Sequence, residues 1–306
     1  MGDPAGIGPE IVLKALARPE VRRRCSAVVF GDRPWLERTA RRLKIPMTFQ
    51  IHQVGALPTK IPIGRPSAAA GRASGEYIAA AVDAVRQGAA DAVVTAPINK
   101  EAFYLGGWGK HFVGHTEMLA ALAGGKSARL MLAHGRLRAV HVTSHIPLKK
   151  VAGSLTRAKI LETIRVAHAG LKALGIARPR IAVCGLNPHA GDGGVLGNEE
   201  ARLIAPAVRA ARRAGLRADG PLSADVVWPM VKDGRYDAGV AMYHDQGQIA
   251  VKLQGIGGAV NLTLGLPMIR TSPAHGTAYD LAGRGTASEE SMAEALLLAA
   301  HMAGLR

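Results

Sequence analysis

Three short apolar runs break off into a segment that carries a histidine, and this recurrence restricts the fold more than any other feature of the chain. Leu137 to Val142 leads into Thr143-Ser144-His145, Ile181 to Leu186 into Asn187-Pro188-His189-Ala190-Gly191, and Ala238 to Met242 into Tyr243-His244-Asp245-Gln246-Gly247. Apolar runs this short, ended by turn residues, read as buried strands. Strands that end in a histidine and then break into a loop place their imidazoles along one sheet edge, where open α/β sheets bind ligands. Three neutral imidazoles with open remaining positions describe a catalytic metal site rather than a closed structural one. The ligands would be His145, His189 and His244. Their spacing is no local zinc signature, so the fold must bring them together.

Elsewhere strand-like and helix-like segments alternate, which predicts an α/β fold with a largely parallel sheet. Strands are expected at Ala27 to Phe30, Asp91 to Thr95, Arg180 to Cys184, Ala238 to Met242 and Ala259 to Leu264. Arg129 to Ala133 and Leu137 to Val142 flank His134-Gly135-Arg136 as a hairpin. Helices are expected at Pro34 to Leu43, Gly71 to Gln87, Glu117 to Ala123, Thr156 to Leu174, Glu199 to Ala214 and Ser288 to Met302. Glycine breaks near residue 125 and the turn at residues 271–273 divide the chain into a first lobe, 1–125 with 272–306, and a second lobe, 126–271. The second lobe would carry most of the metal and substrate ligands.

With 306 residues, 48% of them hydrophobic, the chain can build a large core. No apolar run is long enough to span a bilayer, and no secretory leader opens the sequence, so no membrane role is expected. Cys25 and Cys184 form no CxxC pair, which excludes a disulfide framework and suits a reducing cytoplasm. The formal charge of +16 raises nucleic-acid binding, but the basic residues spread along helical segments and aromatics are only 4%. Stacking platforms for single strands are therefore scarce, and the charge reads as a set of solvated helix faces or, functionally, as a positive field that attracts an anionic substrate.

The opening segment from Gly2 to Glu10 is a glycine-rich loop leading into a helix, either an anion cradle or a tight turn. The dinucleotide fingerprint GxGxxG is absent. Gly191-Asp192-Gly193-Gly194-Val195-Leu196-Gly197 is the better phosphate-loop candidate, since it follows a strand and precedes a helix beginning near Asn198. Of the eleven histidines, His52, His168 and His301 are assigned to surface or structural roles, and His111, His134, His141 and His275 stay open. His115 begins a helix, and its hydroxyl neighbour Thr116 suits an anion there. Lys252, Asn261 and Arg270 interrupt apolar, glycine-rich sequence read as strands. Cations there need a partner, either a phosphorylated or carboxylated substrate or an internal carboxylate such as Asp225, Asp245 or Asp280.

Taken together, GDPAGIGPE from Gly2, TAPINKEAF from Thr95, GHTE from Gly114, HVTSH from His141, GLNPHAGDGG from Gly185, YHDQG from Tyr243 and the run from Asn261 to Gly283 resemble the 4-hydroxythreonine-4-phosphate dehydrogenase family over nearly the whole chain. The resemblance implies a two-lobed α/β fold like isocitrate and isopropylmalate dehydrogenases, with a cleft between the lobes. It implies a homodimer with the active site at the interface, one metal-binding histidine coming from the second subunit. It implies one divalent ion (zinc, cobalt, manganese or magnesium) on His145, His189 and His244, and substrate contacts from His115, Thr116, Lys252, Asn261 and Arg270. It implies NAD or NADP, for which Asn187, Gly193 and Gly194 are the candidate contacts.

The implied reaction oxidises the secondary hydroxyl of 4-phosphooxy-threonine and then loses carbon dioxide to give 3-amino-2-oxopropyl phosphate, a step of pyridoxal phosphate biosynthesis. Lys252 is the candidate base, with Asp245 as a rival. Two departures matter. Family members carry an apolar strand ahead of the GDPAGIGPE loop, which this sequence lacks, and His141 to His145 looks more like the branch acting on 4-phospho-D-threonate or 4-phospho-D-erythronate. A third branch oxidises aromatic cis-dihydrodiol dicarboxylates but tends to lack the GHT segment and the arginine found here at 270. Outside the family, a metal-dependent hydrolase could use the same three histidines; reduction of NAD separates the two.

Overall fold

The computed structural model describes residues 1–304 except 113 and 126, and for Thr116 the backbone alone. Ten strands are present among them: β1 (Val28–Gly31), β2 (Gln50–Gln53), β3 (Ala92–Val94), β4 (Arg129–His134), β5 (Leu137–His141), β6 (Arg180–Cys184), β7 (Arg217–Leu222), β8 (Ala238–Ala241), β9 (Val260–Leu264) and β10 (Ile269–Pro273). The chain divides into two compact α/β units. Unit 1 comprises Met1–Lys126 and Leu266–Gly304; unit 2 comprises Ser127–Gly265. The expected boundary at 271/272 is thus corrected to 265/266, and Arg270 moves from the second lobe to the first. The physical reason is pairing: β10 lies parallel to β3, with Arg270 opposite Val93.

In unit 1, β1 pairs parallel with β2, and β3 with β10. The helix Gly8–Ala17 buries Ile11 and Leu13 against Leu36 of the helix Arg33–Leu43. Asp32 caps the latter by accepting the Trp35 N–H at 2.8 Å. The helix Ala68–Arg86 starts three residues before its expected first residue, because Ser67 Oγ caps the Ala70 N–H. A cavity of about 680 Å³ lies along β1 and β3, lined by Val12, Tyr77 and Leu296 among others.

The opening glycine loop is a packed turn. Asp3 Oδ1 accepts the Ala5 N–H at 2.8 Å, and a Cβ on Gly8 would lie 2.6 Å from the Met1 carbonyl oxygen. Glu10, 2% exposed, pairs with Arg42 at 2.7 Å and accepts the Gly285 N–H at 3.0 Å. The protein's own carboxylates therefore occupy the place offered to an external anion.

In unit 2 the strand order is β9-β4-β5-β8-β6-β7. The expected hairpin is β4 and β5, with Gly135 turning at φ 56°. β5, β8, β6 and β7 run parallel, whereas β4 is antiparallel to both β5 and β9, so the sheet is mixed. The helix Arg157–Ala173, capped by Thr156, buries Ile160, Ile164 and Leu171 at the i, i+4, i+11 positions of one face. The expected helix from 199 to 214 is broken into a π-helical turn, Glu200–Ile204, and an α-helix, Ala205–Arg213, in which Pro206 supplies no N–H to the first turn. Among the described residues no helix is long and apolar enough to cross a membrane.

Candidate active site

Two of the three histidines meet in unit 2. β5 and β8 are parallel neighbours, so the chain leaves both at the same sheet edge. His145 stands on an exposed loop after β5, and His244 is the first residue of the helix His244–Lys252 after β8. Their ring centroids are 5.6 Å apart. The expectation that each histidine opens a loop is corrected for His244, whose backbone is already helical.

His244 Nδ1 donates to Asp245 Oδ1 at 2.6 Å. That leaves Nε2 as the basic nitrogen, the arrangement in which metal-bound histidines are commonly held. Three further bonds fix this edge. Thr143 Oγ1 donates to the Met242 carbonyl at 2.8 Å, tying the His145 loop to the strand before His244. Gln246 accepts the Met242 N–H at 2.7 Å and donates to the Gly185 carbonyl at 2.8 Å, joining the ends of β8 and β6.

His141, left open by the sequence, lies beneath this pair. It is 1% exposed, with its ring centroid 6.0 Å from that of His244. Its Nδ1 donates to the Leu130 carbonyl at 3.2 Å, while Nε2 is buried without a hydrogen-bond partner. Burial, with a smaller contribution from its histidine neighbours, lowers its pKa to about 4.

His189 is not gathered with the pair. It sits exposed on the loop after β6, and no group of three His, Cys, Asp or Glu side chains able to hold a metal is present among the described residues. The donor chemistry of His145 and His244 nevertheless fits a divalent cation as a partial ligand set. Asn187 does not offer its amide freely: Nδ2 donates to Glu199 Oε2 at 2.8 Å and Glu200 Oε2 at 3.0 Å. Gly193 and Gly194 are exposed, and a Cβ on either would meet nothing within 4 Å, so a ligand could approach their backbone closely.

Lys252 ends the helix begun by His244 and is half-buried. Its assignment to an apolar strand is thereby corrected: the run from Tyr243 continues as helix because Gly247 lets the backbone settle against β5. A Cβ there would lie 2.8 Å from both Ala139 Cβ and His141 Nε2. Asn261 lies on β9 opposite Leu132.

Unit 1 holds a buried cation. Arg270, 4% exposed, donates through Nη2 to Thr95 Oγ1 at 2.7 Å and to His115 Nδ1 at 3.3 Å. Burial lowers its pKa to about 10, which still leaves it charged at neutral pH. His115, first residue of the helix His115–Ala123, is held neutral: burial, and then the charge of Arg270, push its pKa well below 6.5. Because Nδ1 accepts from Arg270, the ring proton is on Nε2, which is buried without a protein acceptor. A guanidinium, an unsatisfied N–H and a helix N-terminus together suit an oxyanion. The Thr116 side chain lies outside the described set.

Sequence reasoning missed Thr95, Thr143, Gln246 and Glu200. Their signal was present only as nearness in sequence to the candidate segments, since each acts through a bond that the fold creates.

Residues 23–299 match the family described as Pyridoxal phosphate biosynthetic protein PdxA. A 4-hydroxythreonine-4-phosphate dehydrogenase from Geobacter metallireducens is 47% identical, covering 100% of this chain and 95% of its own. A D-threonate 4-phosphate dehydrogenase from Cupriavidus necator is 44% identical, covering 100% and 96%. The crystal structure of a 4-hydroxythreonine-4-phosphate dehydrogenase from Klebsiella pneumoniae superposes with a TM-score of 0.89 at 40% identity, covering 99% of this chain and 98% of that one.

Proposed function

The chain belongs to the Pyridoxal phosphate biosynthetic protein PdxA family, and from that premise we propose that it is an NAD- or NADP-dependent dehydrogenase that oxidises the secondary hydroxyl of 4-phosphooxy-threonine. The observation that carries this reading is the His145–His244 pair, with Asp245 holding the second imidazole. His145 and His244, completed by His189, would hold a divalent cation. Such an ion, when bound, polarises the oxygens of a hydroxy acid and makes its hydroxyl more acidic. A nicotinamide cofactor, when bound, would supply the hydride acceptor.

The chain's own groups do the rest. Arg270 and the Nε2–H of His115 bind the phosphate, and their burial makes an unphosphorylated analogue a poor substrate. Lys252 takes the hydroxyl proton. Asp245 is assigned to holding His244, so it leaves the list of candidate bases. The oxidised product carries its carboxylate β to the new carbonyl and loses carbon dioxide. Asn261 contacts the substrate from β9, and Gly193 and Gly194 offer backbone to the cofactor.

A second substrate is favoured by a specific observation. His141 opens the HVTSH segment and packs beside His244, and the Cupriavidus necator relative is named for D-threonate 4-phosphate. Oxidation of that compound uses the same groups.

Unit 2 exposes Ile249, Leu253 and Ile256 along and just beyond the His244 helix, together with Val195 and Leu196 of the His189 loop. Apolar surface of this kind supports a homodimer in which His189 is paired with histidines of the second subunit. Two free cysteines, one of them buried, suit the cytoplasm.

The test is turnover of 4-phosphooxy-L-threonine and D-threonate 4-phosphate, side by side, with NAD and with NADP, before and after chelation. Cofactor reduction with one substrate, lost on chelation and restored by added metal, is expected. No reduction with either, or reduction indifferent to metal, overturns the reading.

A further inference from the structure

The loop that presents His189 has a backbone that needs an explanation. From His189 to Gly193 five consecutive residues are left-handed, with φ of 50°, 54°, 84°, 43° and 66°. Three of them, His189, Ala190 and Asp192, are not glycine. Each such residue costs roughly 1–2 kcal/mol, and a run of this kind persists only where its surroundings over-determine it.

The surroundings are dominated by one side chain. Glu200, 5% exposed, reaches from the π-helical turn into the hollow of the loop. Its Oε1 accepts the backbone N–H groups of Leu186 and Asn187, both at 2.8 Å. Its Oε2 accepts Asn187 Nδ2 at 3.0 Å. A Cβ on Gly191 would lie 2.8 Å from Oε2, and one on Gly185 3.2 Å from Oε1, so the backbone is wrapped closely around the carboxylate. Asn187 passes the constraint on, since its carbonyl accepts the Ala190 N–H at 3.1 Å.

Burial alone would raise the pKa of Glu200. The donors on Asn187 and Leu186 outweigh it and bring the pKa below the ordinary value, so the group is a carboxylate at neutral pH.

We propose that Glu200 is a positioning residue: its buried carboxylate, through Asn187 and the left-handed turn, sets the direction in which His189 is offered to the metal. The proposal rests on the reading of His189 as a metal ligand. Glu200 makes no contact with substrate in this scheme. Its effect is on the geometry of a ligand two residues along the chain from Asn187, and strain held there is released if the carboxylate goes.

The experiment compares Glu200→Gln, Glu199→Gln and His189→Ala in the full chain. Co²⁺ affinity is measured by chelator competition, alongside thermal midpoint, kcat and KM. Glu200→Gln puts an NH₂ against donors and is expected to weaken Co²⁺ binding about 10–100-fold, to lower kcat, and to leave KM for the phosphorylated substrate within about twofold, the range in which a residue not contacting phosphate should stay. Glu199→Gln, whose carboxylate accepts Asn187 Nδ2 and the Asn198 N–H but neither of the backbone N–H groups of Leu186 and Asn187 that Glu200 holds, is expected to lose less. Co²⁺ affinity unchanged in Glu200→Gln but lost in His189→Ala overturns the proposal and spares the metal reading. Affinity unchanged in His189→Ala overturns both. If Glu200→Gln does not fold, Asn187→Ala removes the Nδ2 bonds to Glu199 and Glu200 and keeps the backbone N–H bond to Glu200; an intermediate loss of Co²⁺ affinity, larger than that of Glu199→Gln, supports the proposal, and none overturns it.

Discussion

His244 Nδ1 donates to Asp245 Oδ1 at 2.6 Å, so a carboxylate that sequence reading offered as a proton acceptor is already engaged as the holder of an imidazole. Replacing Asp245 with asparagine keeps the size and removes the charge. Metal affinity is expected to fall about 10–100-fold, with circular dichroism unchanged. Metal content retained at wild-type level alongside a collapse of kcat would instead return Asp245 to the role of base.

Arg270 is expected to govern KM. Removing a buried guanidinium leaves Thr95 and His115 without their donor and, on the proposed reading, would leave a bound phosphate without its counter-charge. The loss in kcat/KM for Arg270→Ala should be roughly 2–5 kcal/mol. Steady-state kinetics with a phosphorylated substrate checks this, and an unaltered KM places the phosphate elsewhere.

The neutral state of His115 has a sign that can be tested. Its folded pKa lies well below 6.5, under the pressure of burial and of Arg270, with the buried Met1 amino group adding to it. Between the two pKa values the unfolded chain binds the extra proton. Stability therefore falls as pH drops below about 6.5. The urea midpoint should decline from about pH 7 to about pH 5, and His115→Gln should decline less steeply. Equal slopes in the two proteins would show that His115 titrates alike folded and unfolded.

Gly247 is expected to tolerate no side chain. With a Cβ at 2.8 Å from both Ala139 Cβ and His141 Nε2, Gly247→Ala must push the His244 helix off β5. The expected cost is roughly 1–3 kcal/mol, seen in urea unfolding together with a loss of metal affinity. A variant as stable as the wild type would mean that the helix yields at no cost.

Much of the fold was readable along the chain because it depends on local periodicity and punctuation. The hairpin at Gly135, the strand Arg180–Cys184 and the helix capped by Thr156 stand where apolar spacing and turn residues put them. Short elements with weak patterns escaped. The strand Gln50–Gln53 is mostly polar and exposed, and the strand Arg217–Leu222 contains glycine and proline. Lys252 was misplaced because a polar stretch after a buried strand has no period of its own; packing of Gly247 against β5 makes it helical. The lobe boundary slipped by six residues because strand pairing across 177 positions, the distance from Val93 to Arg270, leaves no trace in local sequence.

By itself the sequence determined the alternating α/β character, the identity of the candidate metal and phosphate groups, and the family, since residue type and spacing carry these directly. The tertiary structure decided which groups work on which. It joined His145 to His244 through parallel strands, gave Thr95 its partner Arg270, and curled the His189 loop around Glu200. Each of these is a contact of a few ångströms between residues with no neighbourhood along the chain, and only folding creates such neighbourhoods.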